Sequence, residues 1–279
     1  MKKLSFKFLG GLLAAGILLG GALNSGAAEE RAGKRVLVVT VTKGFRHSSI
    51  PTAEKVIGEL AAKSHAFTVD YVRNDQDMAE KMTAAALKNY DGFIFANTTG
   101  ILPQPDKEAF LNAIKGGKGF IAMHSGSDTF HGTNGIDPYT EMLGGEFEGH
   151  GAQVGVECLV QDTKHPATRH LGQSFTVKQE EIYLIKSYVP AKVHELLVLD
   201  KHPNKKTPGH FPIAWCKEFG QGKVFYTSLG HREDIWDTDP DLKGRINPVE
   251  VSGAYQKHIL GGIKWALGLE PGDATPQTK

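Results

Sequence analysis

Histidine is concentrated where chemistry is easiest to build. Twelve histidines lie in the 279-residue chain, and several close short loops that follow apolar, strand-like runs. Lys43-Gly44-Phe45-Arg46-His47 follows the first such run, His124-Ser125-Gly126-Ser127-Asp128-Thr129-Phe130-His131 the fourth, and Leu229-Gly230-His231-Arg232 a late one. The glycine-rich stretch Gly144–His150 reads as a loop able to fold over the same edge. The turn Met123-His124-Ser125-Gly126 has the form of a nucleophile elbow, a tight strand-to-helix turn that exposes one side chain. Hydrolases place Ser there and class I glutamine amidotransferases place Cys; here it is His124, which near neutral pH serves as acid, base or metal ligand. Ser125 is one step off the elbow and is the second candidate nucleophile. His124, Asp128 and His131 are four and three residues apart, which would align them as metal ligands for zinc or a similar divalent ion if that stretch is helical.

These loops need a frame. Arg35–Thr42, Phe67–Arg73, Asp91–Asn97 and Lys118–Met123 are strand-length apolar runs without polar alternation, the pattern of parallel strands buried on both faces. Helices are expected between them: one capped near Ser48 or Ser49, one over Met78–Leu87 and one over Asp106–Lys115. Strand–helix alternation predicts an α/β doubly wound parallel sheet, whose ligands bind at the carboxyl ends of the strands. After Gly135 the rhythm changes. Gln153–Leu159, Glu181–Lys186, Glu195–Leu199 and Pro212–Lys217 read as strands with few helices between them, an antiparallel β insertion in the second half. Lys223–Ser228 returns to the buried type, and a helix over about Val251–Leu267 closes the domain.

The N-terminus reads as an address. Lys2, Lys3 and Lys7 precede an apolar run, Phe8–Leu23, and then small residues; cleavage is expected after Ala28. The run falls short of the roughly 20 apolar residues a spanning helix needs, so no stable membrane span is expected and the product is placed in the periplasm or beyond. Residues 29–33 read as a linker, 34–268 as one domain and 269–279 as a flexible tail. Removing residues 1–28 leaves 29 basic against 31 acidic residues, a formal charge of −2. With no basic cluster, nucleic acid is not an expected partner. Cys158 and Cys216 either pair or remain two small buried thiols; no CxxC motif points to a thiolate metal site. Oligomeric state is open, a homo-oligomer included.

The segments GFRH, GGKGFIAMHSGSDTFHG, YTEMLGGEFEGH, HPAT, EEIY, PIAWCKEFGQGKVFYTSLGHR and GGIKWALG resemble the trehalose-utilisation (ThuA-like) family over almost the whole chain after Lys34. The resemblance implies a flavodoxin-like fold of the class I glutamine amidotransferase type, without that superfamily's cysteine. It also implies a role with disaccharides or keto-sugars. Carried over position by position, it marks His47, His124, Asp128, His131, His150, the Glu181-x-Tyr183 element, and His231-Arg232. The leading expectation is an enzyme without organic cofactor, acting on a small carbohydrate by isomerisation, epimerisation or elimination. In it His124, His231 and Glu181 are catalytic, and Phe45, Arg46, His47, His150, Tyr183 and Arg232 bind substrate. A metal-dependent sugar hydrolase and a non-catalytic sugar-binding module, with Phe45, Phe130 and Trp236 as stacking platforms, are the alternatives.

Overall fold

A computed structural model describes residues 1–5, 33–131 and 135–277. Met1–Ala32 and Gly33–Lys279 are separate units. All of the expected signal peptide after residue 5 and nearly all of the linker fall outside the described residues. Among the described residues no helix is long and apolar enough to cross a membrane.

In chain order the second unit runs β1 (Lys34–Val39), α1 (Ile50–Ser64), β2 (Phe67–Val72), α2 (Asp75–Lys81), β3 (Gly92–Ala96), α3 (Lys107–Lys115) and β4 (Gly119–Met123). It continues with α4 (Pro138–Leu143), β5 (Glu146–His150), β6 (Val154–Val160), β7 (Ser174–Glu180), β8 (Tyr183–Lys186), β9 (His194–Lys201), β10 (Pro208–Phe219), β11 (Gly222–Thr227), α5 (Glu233–Trp236) and α6 (Val249–Ala266). Nine strands form one sheet in the order β2-β1-β3-β4-β11-β10-β9-β6-β7. The first five are parallel and the remaining pairings antiparallel. The parallel part has the flavodoxin-like 2-1-3-4-5 order, and the antiparallel strands extend it as the sequence predicts.

Alternation along β1 explains its unbroken apolar run. Val36 and Val38 enter one core with Ile57, Leu60, Ile259 and Trp265. Leu37 and Val39 enter the other with Met78, Phe110, Tyr139 and Met142. Helices cover both faces, so neither set of side chains meets water.

The structure departs from the sequence reading in several places. The helix expected over Met78–Leu87 starts earlier and stops sooner, because the Asn74 side chain caps it by accepting the Asp77 N–H at 2.8 Å. After it Thr83 Oγ1 accepts the Ala86 N–H and starts a separate 3-10 turn over Ala86–Asn89. The glycine-rich loop Gly144–His150 contains β5, which pairs with β8 in a ribbon outside the main sheet. β7 escapes the sequence reading, although its burial alternates through Phe175 and Val177. The expected loose tail is tied down: the His194 ring donates to the Thr275 carbonyl at 2.8 Å, and the Glu195 N–H to Gln277 Oε1 at 3.0 Å. Both cysteines are buried free thiols; burial, then the Glu157 charge, pushes the Cys158 thiol up to about 12.

Two predictions follow from the packing of α6. A Cβ at Gly261 would collide with the Pro166 carbonyl, whereas at Gly253 it would meet nothing within 4 Å. Gly261→Ala should therefore cost about 1–3 kcal/mol of stability, and Gly253→Ala should be neutral or gain up to ~1 kcal/mol, read as opposite shifts in denaturant midpoint. His258 is fully buried and donates Nδ1–H to the Ala167 carbonyl at 2.8 Å. Burial, helped by nearby His170 and His165, lowers it to about 3. The unfolded chain then binds the extra proton between pH 6.5 and 3, so this contribution is complete above pH 6.5 and is lost as pH falls. Its slope approaches 1.4 kcal/mol per pH unit. His258→Asn, which has no proton to gain, should flatten the acid limb of stability against pH; an unchanged slope would show that the ring does not titrate in this way.

Candidate functional site

Four side chains converge at the carboxyl ends of the parallel strands. β1 leads into the loop that ends at His47, β4 turns directly into His124, and β11 leads through Leu229-Gly230 to His231. Glu181 lies in the short link between β7 and β8. One ligand atom from each of the four lies within 4.8 Å of the others.

His124 is the hub. Its backbone is left-handed (φ 47°), sterically costly for a residue with a Cβ, and this turns the side chain back over the strand ends. Its Nδ1–H donates to the Ser228 carbonyl at 2.8 Å. That bond fixes the tautomer and leaves the Nε2 lone pair facing His47 Nε2 at 3.2 Å, His231 Nδ1 at 3.3 Å and Glu181 Oε2 at 3.6 Å. Anchoring of one ring nitrogen on a carbonyl is how proteins orient metal-binding histidines. His47 Nδ1 lies 3.3 Å from Ser125 Oγ, which makes the runner-up nucleophile a support for an imidazole. The His231 N–H donates at 2.7 Å to Glu180, a fully buried carboxylate that sequence reasoning passed over as merely acidic.

The electrostatics follow from burial and crowding. Burial, then the neighbouring imidazoles His124 and His231, lowers His47 to about 3. Burial also lowers His124, against the pull of Glu181 and Ser228. His231 is raised: burial opposes this, but its hydrogen bond to and charge attraction by Glu181 outweigh it. Desolvation would raise Glu181, but the adjacent imidazoles His124 and His231 outweigh it and hold the carboxyl well below its usual range. Desolvation lifts Glu180 to about 7 despite its backbone donors.

The other expected site residues separate into two groups. His150 is exposed and its Nδ1 lies 3.1 Å from Glu181 Oε1. The buried Tyr183 ring packs on His124 with centroids 4.2 Å apart. Phe45, 67% exposed, sits edge-on to His47 at 4.8 Å. These three border the cluster. Arg46 and Arg232 are engaged elsewhere: Arg46 donates to the Thr40 carbonyl at 3.3 Å, and the Arg232 guanidinium is held by Asp234, Gln153 and the Gly244 carbonyl. Phe130 and Trp236 are core residues. The expected trio His124, Asp128 and His131 is not assembled. His124–Asp128 is a 3-10 turn, whose pitch does not stack residues four apart, and His131 instead bonds Asp128 at 2.7 Å. The residues that could hold a metal come from distant loops rather than from one local segment.

A parallel α/β core with a buried imidazole–carboxylate cluster at its strand ends defines the class of this protein. The chain belongs to the trehalose-utilisation (ThuA) family, whose sequence model matches residues 35–266. Its structure is similar to a ThuA-like protein from Parabacteroides merdae (16% identity, TM-score 0.64, 84% of this chain and 90% of that one). It is also similar to a ThuA-like protein from Bacteroides uniformis (20% identity, TM-score 0.59, 87% and 94%). Part of a β-galactosidase from Bacillus circulans shares the fold as well (12% identity, TM-score 0.54, 86% of this chain and 32% of that one). Comparison with curated proteins finds no match.

The donor set fits a divalent cation. Lone pairs of three imidazoles and a carboxylate crowd one point, an arrangement that a proton or a metal ion must neutralise, and neutral nitrogen with carboxylate oxygen suits zinc and its first-row neighbours. Metal-stripped protein titrated with zinc should bind one ion per chain. His124→Ala and His231→Ala should abolish that stoichiometry, whereas Asp128→Ala and His131→Ala should retain it; loss in the second pair would return the site to the 124–131 segment.

Proposed function

We propose that this protein is a metal-assisted enzyme of carbohydrate metabolism that moves protons beside the carbonyl of an oxidised sugar, in an isomerisation, epimerisation or elimination. The observation that carries the reading is the convergence of His47, His124, His231 and Glu181 within 4.8 Å at the strand ends, with aromatic rings at the border. Family membership supports the sugar, and the chain's own residues support the chemistry.

The four converging side chains would hold the ion, which when bound supplies Lewis-acid polarisation of a carbonyl or hydroxyl oxygen. Ser228 and Ser125 keep two of the imidazoles in orientation. Tyr183 keeps its phenolic proton, since burial and then the Glu181 charge raise it far above neutral pH, so it donates a hydrogen bond to a substrate oxygen. His150, on the solvent side of Glu181, is placed to pass a proton between water and the centre. Phe45 offers an apolar face at the mouth. The export reading of the N-terminus would place this work outside the cytoplasm, where ATP and nicotinamide pools are absent, which favours chemistry without an organic cofactor.

A metal-free version of the same chemistry has one observation in its favour. Glu181 holds His231 protonated more readily than a free imidazole, giving an ion pair able to act as acid and base. One experiment separates the readings. A 3-keto-glucoside is incubated in deuterated buffer with zinc-loaded and with chelator-treated protein. The expected result is deuterium uptake at the carbon beside the carbonyl, falling on the order of 10²-fold on chelation and in His124→Ala. Equal uptake after chelation selects the metal-free version, and no uptake with either sample leaves a sugar-binding role.

A further inference from the structure

Of the four adjacent parallel strands β1, β3, β4 and β11, three deliver a histidine to the centre. β1, β4 and β11 lead to His47, His124 and His231, whereas β3, which lies between β1 and β4, leads to Asn97. Asn97 is fully buried and left-handed (φ 54°). Its hydrogen bonds fall beside all three histidines. The Asn97 main-chain N–H donates at 3.3 Å to the carbonyl of Met123, the residue before His124. Its side-chain amide donates at 2.9 Å to the carbonyl of Gly230, the residue before His231. The same nitrogen donates at 3.0 Å to the hydroxyl of Ser49, two residues after His47. A carbonyl only accepts, so the Gly230 contact decides which end of the amide carries the nitrogen.

The segment that carries His231 is held residue by residue. The Ser228 carbonyl accepts from His124 Nδ1, and the Leu229 carbonyl from the Tyr255 hydroxyl at 3.0 Å. The Gly230 carbonyl accepts from Asn97, from Ser49 Oγ at 3.2 Å and from Trp236 Nε1 at 2.8 Å. The Gly230–His231 peptide is thus gripped at both ends, since its N–H donates to Glu180 at 2.7 Å. Ser49 stands at the start of α1, yet its side chain caps nothing. Its hydroxyl serves Asn97 and Gly230 instead. The fold does not ask for the amide. Glycine satisfies a left-handed strand end, and Asn97 Oδ1 is buried with no partner among the described residues.

We propose that Asn97 is a positioning residue of the histidine centre: through Met123, Gly230 and Ser49 it locks the loops that carry His124, His231 and His47 against one another, so that their ring nitrogens meet. Imidazoles on independent loops lose freedom when they close round one ion. A brace made during folding has already removed that freedom, so binding need not. Loss of such supporting partners lowers metal affinity about 10–100-fold. The effect on zinc rests on the metal-centre reading above, while the brace itself needs no ion.

Two readouts on the full chain test it: zinc affinity by calorimetry, and amide hydrogen exchange of His231 in the metal-free protein by NMR. Asn97→Gly keeps the left-handed backbone and removes the amide. It should weaken zinc at least about tenfold and speed exchange at His231 at least about tenfold relative to Tyr226 inside β11. Ser49→Ala, which removes no helix cap, should move both readouts the same way and guards against misfolding of the first variant. Gly261→Ala, which strains α6 against Pro166, should leave both as in wild type, and this separates positioning from loss of stability. Zinc affinity within about threefold of wild type in both brace variants, or an equal loss in Gly261→Ala, overturns the positioning role. An unchanged His231 rate relative to Tyr226 in Asn97→Gly overturns it as well. A wild type that binds no zinc sinks the metal-centre reading, and exchange at His231 then decides the brace alone.

Discussion

The hydrogen bond from His124 Nδ1 to the Ser228 carbonyl holds the site together. It joins the turn after β4 to the end of β11, two neighbouring parallel strands, and decides which nitrogen of His124 is free. With the tautomer fixed, Nε2 has only one direction to face, and His47, His231 and Glu181 are all found there. The left-handed backbone at His124 is tolerated because the strand before it, the 3-10 turn after it and the Tyr226 hydroxyl donating to its carbonyl at 2.9 Å leave no relaxed alternative.

The same geometry sets the electrostatics of the cluster. Three imidazoles and a carboxylate in a dry pocket cannot all hold their ordinary charge states. Burial strips His47 and His124 of protons, while Glu181 stays ionised and draws His231 toward the charged form. Opposed shifts among close neighbours are common at functional sites and occur in structural ion-pair networks as well. The buried Glu180 carboxylate holds the His231 backbone from behind, so the support extends one layer beyond the groups that face the pocket.

The antiparallel half of the sheet has a different task. β6, β9 and β10 extend the sheet without adding strand ends to the cluster, and only the end of β7 reaches it. Their contribution is to carry Glu181 out of β7 and to project the β5–β8 ribbon over the histidines. A similar fold occurs within a β-galactosidase of much greater length, and likeness at that identity speaks of fold alone. What distinguishes this chain is the set of side chains its loops deliver.

The sequence by itself determined the frame and the hub. Short unbroken β-branched runs such as Val36–Val39 have the pattern of strands buried on both faces, and strand–helix alternation predicts a parallel sheet whose loops gather at one edge. His124 was legible because strand, turn and glycine are consecutive in the chain. The resemblance had already grouped His124 with His231 and Glu181; only the tertiary structure decided that His47 joins them in one cluster and that Asp128 and His131 do not. Local spacing pointed to Asp128 and His131, but a 3-10 turn and a mutual hydrogen bond take both away, and the partners come from residues 47, 181 and 231. Arg232 looked like a ligand-binding residue by position, yet Asp234 two residues on captures it. A bulge in β5 brings Phe147 to the face of His150; it arises from pairing with β8, which no window of β5 contains. Periodicity records which face of an element is buried; which distant side chains meet is set by sheet order and register, and those are properties of the whole fold.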